Sequence, residues 1–141
     1  MKNFIKLIKA EIKNIKNVKH GIIDFKTSIT GIYGQNGSGK TALVDSTDIL
    51  KAYLLGKKLD SFYDLINIEA KTCNLDFTFE VEVNEKKYKI FLEITLKKIK
   101  KIIENEEVNG VVVDKEIIKY SEIIGETATS KRVLIGSTKK E

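Results

Sequence analysis

Proline is absent from the 141 residues, cysteine and histidine occur once each, and arginine occurs only as Arg132 among 25 basic residues. The lone Cys73 excludes an internal disulfide, and one Cys with one His (His20) excludes a zinc-finger type of metal site. Long apolar runs are missing too. No stretch approaches the roughly 18 residues of a membrane-spanning helix, and lysines interrupt the apolar N-terminus too often for a secretory signal. A cytoplasmic location is therefore expected. What is present is the balance of a globular domain, 42% hydrophobic and 32% charged, on a length that suits one domain with a real core.

The net charge of +5 is concentrated at one end. Through Lys40 eight lysines face only Glu11 and Asp24, so the first 40 residues carry +6 and the remainder −1. Such a field attracts a polyphosphate, a nucleic-acid backbone or an anionic membrane, and charge alone does not choose among them.

Residues 1–17 fit two patterns. Phe4, Leu7, Ile8, Ile12 and Ile15 fall near helical spacing, yet Ile8, Ala10 and Ile12 also alternate with Lys9 and Glu11 as a strand would. His20-Gly21 reads as a turn, residues 22–25 as a short strand, and residues 29–33 as an apolar strand entering a glycine-rich loop. Leu43, Leu50 and Leu54 predict a helix over residues 39–55 with Gly56 as its stop. After a polar connection over 57–69, Leu75, Phe77, Phe79, Val81 and Val83 alternate with polar residues, which predicts a half-buried strand. Asn84-Glu85 can turn the chain into a returning strand through Tyr88, Ile90, Leu92, Ile94 and Leu96. Asn109-Gly110, the best short turn pair, predicts a second hairpin between 102–108 and 111–118, and residues 133–135 suggest one more strand.

Gly34-Gln35-Asn36-Gly37-Ser38-Gly39-Lys40-Thr41 matches the phosphate-binding pattern G-x-x-x-x-G-K-[ST] at every defined position. Glycines let the backbone curl so that successive amides face the phosphates, and the following helix adds its positive end. Lys40 is suited to neutralise the β- and γ-phosphates, and Thr41 to place its hydroxyl on Mg²⁺. A chance match has a probability on the order of one per cent at ordinary residue frequencies. The flanking strand and helix patterns are the context that the motif requires.

The stretch from Ile32 to Thr41, with Asn36-Gly37 inside it, resembles the ATP-binding loop of ABC-type ATPase heads, in the N-G-x-G-K form of SMC-like and RecF-like proteins broadly labelled AAA-type. Ile12-Lys13-Asn14-Ile15-Lys16-Asn17 is similar to the strand that opens such heads, which favours the strand reading of the N-terminus. The resemblance implies an α/β fold, α+β in part. Residues 1–56 would hold strands, P-loop and helix, 57–73 a connection, 74–120 an antiparallel β-subdomain, and 121–141 a weakly structured tail. It also implies ATP and Mg²⁺ as ligands, a nucleotide-dependent homodimer of a longer parent, and a DNA or protein partner for that parent.

The other parts of an ATPase head are not found. Gln35, the only glutamine, lies inside the loop, and His20 lies before it, so neither a Q-loop glutamine nor a late switch histidine is available. Val111-Val112-Val113-Asp114 imitates a Walker B strand, but Lys115 stands where the catalytic Glu belongs. These residues read as the N-terminal portion of a longer ATPase, binding nucleotide poorly and hydrolysing little alone. A small P-loop phosphotransferase is the enzymatic alternative, weakened by the single arginine. A basic β-rich binding module is the non-enzymatic one.

Among the remaining candidates, Lys13, Lys16 and Lys19 lie near the expected nucleotide mouth, and Lys16 is the one taken as a phosphate or ribose contact. Lys97-Lys98-Ile99-Lys100-Lys101 lacks interleaved aromatics and reads as a solvated strand edge or turn. Tyr33, Phe77, Phe79 and Tyr88 read as core rather than as adenine platforms, and Asp45 and Asp48 as solvent-facing without a site role.

Overall fold

The computed structural model describes residues 3–25, 38–125, 127–128 and 132–138. Strands β1 (Phe4–Ile15), β2 (Val18–Asp24), β3 (Thr72–Val83), β4 (Lys86–Ile103), β5 (Glu106–Ile124), β6 (Thr127–Ala128) and β7 (Arg132–Thr138) form one sheet in the order β2-β1-β3-β4-β5-β6, with β7 also on β5. Every pairing is antiparallel. Helix α1 (Ser38–Leu54) and a 3₁₀ helix (Asp60–Leu65) complete the described elements. The described residues are thus mainly antiparallel sheet rather than an evenly mixed α/β unit. The expected apolar strand over 29–33 lies outside them.

Alternation explains why one face is covered. Ala10 and Ile12 of β1, Cys73, Leu75 and Phe77 of β3, and Leu92, Ile94 and Leu96 of β4 are buried on the face that receives Ala42, Ile49, Leu50 and Ala52 of α1. Burial pushes the Cys73 thiol up to about 12, so it fills space as an inert group. On the opposite face Glu11, Asp76 and Glu93 stand in one cross-strand row. The N-terminal segment is a strand, as the resemblance implies.

Two turn readings are corrected. The β1–β2 turn falls at Lys16-Asn17, and His20 and Gly21 lie within β2 opposite Lys13 and Ile12. The β4–β5 turn falls at Glu104-Asn105, both in the left-handed region at φ +52° and +65°, and Asn109-Gly110 lies within β5. Packing outweighs the turn pair here. The observed register sets Leu96 against Val113 and Leu92 against Ile118 on the helix-covered side. Gly110 serves a close approach instead, because a Cβ there would stand 2.8 Å from Lys101 Cε and 3.0 Å from Asp60 Oδ1. The expected turn at Asn84-Glu85 is present, with φ of +51° and +68°.

Candidate phosphate site

Helix α1 begins at Ser38, inside the glycine-rich motif, and carries no acidic residue in its first turn, so the positive end of its dipole is not offset by a nearby carboxylate there. Gly34, Gln35, Asn36 and Gly37 lie outside the described residues. Ser38, Gly39 and Lys40 form the first helical turn by their backbone, and their side chains lie outside the description. Thr41 follows on the exposed side and Ala42 is fully buried, so the helix register turns position 41 away from the sheet.

The far end of α1 is anchored. Tyr53 donates its hydroxyl to Glu116 Oε1 of β5 at 2.6 Å, and burial, together with that carboxylate, holds its pKa well above the ordinary phenol value. Ser46, fully buried, donates back to the Leu43 carbonyl at 2.8 Å. The helix therefore sits at a set height over the sheet, and its middle, at Asp45, meets the β1–β2 turn.

That turn is built with care. Asn14 and Lys16 both take left-handed backbone conformations, at φ +61° and +50°. The segment after the 3₁₀ helix clamps them: Lys16 N–H donates to the Leu65 carbonyl at 2.7 Å, Asn67 N–H to the Asn14 carbonyl at 2.8 Å, and Asn67 Nδ2 to the Lys16 carbonyl at 2.7 Å. The Lys16 side chain is thereby directed onto α1, where Nζ lies 2.9 Å from Asp45 Oδ2. Asp45 is not solvent-facing as expected. Its side chain is 16% exposed.

The other sequence candidates are engaged elsewhere. Phe77 is in the core, Phe79 packs against it, and Tyr88 meets Tyr120 edge-on with ring centroids 6.5 Å apart. Tyr33 lies outside the described residues. The lysine run is a strand with protein partners: Lys98 lies 5.1 Å over the Tyr63 ring and donates to the Asn67 carbonyl at 3.0 Å, Lys100 donates to Asn109 Oδ1 at 2.7 Å, and Lys101 pairs with Asp60 at 2.9 Å. Asp114 sits at the register shift where Thr95 pairs with Lys115 and Leu96 with Val113, within an antiparallel hairpin. No group of three or more His, Cys, Asp or Glu residues that could hold a metal ion occurs among the described residues.

A family model described as an AAA domain matches residues 9–139, nearly the whole chain. This chain belongs to the AAA domain family. It is an N-terminal region of the SMC/RecF-like P-loop ATPase kind, and thus an ATP-binding, ATPase-family region. The DNA replication and repair protein RecF of Leptospira biflexa is 30% identical over 119 residues, which cover 84% of this chain and 30% of that protein. RecF of Acetivibrio thermocellus is 31% identical over 93 residues, 66% of this chain and 25% of that protein. The chain thus spans a third or less of the relatives' length. Among the described residues no helix is long and apolar enough to cross a membrane.

Proposed function

We propose that residues 34–41 are a Walker A loop that binds the phosphates of Mg-ATP, as part of a larger ABC/SMC-like ATPase. The observation that carries the reading is the full motif at the start of a helix whose first turn holds no carboxylate. Gly34, Gln35, Asn36, Gly37, Ser38 and Gly39 supply backbone amides, Lys40 the main counter-charge, and Lys16 a second cation from the β1–β2 turn. Thr41, on the exposed side one residue after Lys40, is a suitable hydroxyl ligand for the divalent ion. Bound Mg²⁺ would bridge phosphate oxygens and offset their charge. The donor set fits both groups.

Hydrolysis needs a Walker B carboxylate pair and a signature loop that these residues do not supply, so the chain acts as the nucleotide-gripping part. As part of this reading we propose strands, P-loop and helix over 1–56, a connection over 57–73, hairpins over 74–120 and a tail over 121–141, into which β5 and β7 extend the sheet. For the whole protein we propose a cytoplasmic, nucleotide-dependent homodimer, and the likeness to proteins named for DNA replication and repair favours DNA over a protein as its partner.

The test is calorimetric titration of Mg-ATP into the chain and into Lys40→Ala. Removing the ammonium is expected to weaken binding by at least about tenfold, the loss of a charge-assisted phosphate contact. Equal weak signals from both proteins would overturn the phosphate-loop assignment.

A further inference from the structure

Asp45 belongs to no motif, yet the molecule invests in its surroundings. Two left-handed residues and three hydrogen bonds from residues 65–67 fix the β1–β2 turn so that Lys16 reaches α1 beside this carboxylate. Asp45 Oδ2 is shielded to less than 1 Å² and accepts no hydrogen bond of good geometry, although the ammonium lies 2.9 Å away. The contact is one of charge at a single point, while the Lys16 side chain remains 38% exposed.

Asp45 follows Thr41 by four residues, about one turn or 6 Å along the helix axis. A bare carboxylate there opposes the positive field of the helix start, and the Lys16 ammonium cancels it. A lysine is a point charge on a flexible stem, so it can exchange one oxygen partner for another without moving its anchored backbone.

We propose that Asp45 is a resident counter-ion that nucleotide phosphate displaces: the Lys16 ammonium leaves the Asp45 carboxylate for the polyphosphate held at the start of α1. The pair then acts as a brake on nucleotide affinity, because binding must first break it. This inference rests on the phosphate-loop reading above. It assigns Asp45 a positioning role and makes the affinity of the loop depend on a residue outside it.

The experiment is a Mg-ATP titration of Asp45→Asn, Lys16→Met, the double variant and Asp48→Asn, each with a thermal melt. Asp48 is exposed on the same helix and controls for removal of one negative charge. Asp45→Asn is expected to tighten binding by about 1.5-fold to fivefold, the range of a partly exposed ion pair. Lys16→Met is expected to weaken binding, and adding Asp45→Asn to it to give no gain, because the gain needs the freed ammonium. The idea fails if Asp45→Asn matches Asp48→Asn, if it weakens binding, or if it tightens binding equally without Lys16. Asp45→Ser, shorter and neutral, provides the same comparison should Asp45→Asn melt early. Binding that is the same in wild type and Lys40→Ala sinks the phosphate-loop reading, whereas Lys40-dependent binding with an inert Asp45 sinks this inference alone.

Discussion

Asp76 shows how a single side chain can work against the fold that carries it. Burial between β1 and β4, with Glu93 and Glu11 on either side, raises its pKa above the usual carboxylate range. The folded state therefore holds its proton more tightly than the unfolded chain does. Linkage makes Asp76 a liability at neutral pH, and that liability fades as pH falls through the raised folded value toward the ordinary one near about 4. Asp76→Asn is expected to raise the urea midpoint at pH 7 and to lose that advantage below about pH 4. An equal gain at both pH values would exclude the electrostatic cause. Asp60 has the opposite sign: the Lys101 hydrogen bond and the Val111 N–H hold it below the usual range, so its contribution is present at neutral pH and disappears only in acid.

At the scale of elements, the hairpins show local preference yielding to packing. Both tight turns use two left-handed residues, and neither contains glycine: Asn84-Glu85 and Glu104-Asn105. A non-glycine residue in that region costs roughly 1–2 kcal/mol, less for Asn. Replacing Glu104-Asn105 by Asn-Gly is expected to raise stability by about 1 kcal/mol, read as a shift in the denaturant midpoint. No change would mean that the turn geometry is not the constraint. Asn109-Gly110 was the stronger turn signal, but a turn there would remove Leu96 from Val113 and leave the Asp60 carboxylate without the Val111 amide to which it binds. Side-chain period alone is blind to that competition.

At the scale of the whole molecule, order is expected to be graded. Centrally, β3 and β4 are flanked by strands on both sides and covered by α1, whereas residues 99–103 pair only with β5, and Ile102 and Ile103 are exposed. Amides of residues 73–77 and 92–96 should therefore exchange slowest with solvent, and those of residues 102–108 fastest among the β4–β5 pairs. Hydrogen exchange read by mass spectrometry checks this. Uniform protection along β4 would show that the two-stranded end has support from something besides its own ladder.

The amino-acid sequence alone determined the glycine-rich motif, the helix after it, the alternation of β3 and β4 and the Asn84-Glu85 turn, because each depends on residues close in the chain. It favoured the strand form of the N-terminus only through resemblance, since Ile8, Ala10, Ile12 and Ile15 satisfy two periods at once. Tertiary structure decided that the strands of the first segment join the later hairpins in one sheet, that the second hairpin turns at Glu104, and that Lys16 meets Asp45. These choices join residues far apart in sequence, where burial of a shared apolar face and contacts between distant side chains outweigh any local preference.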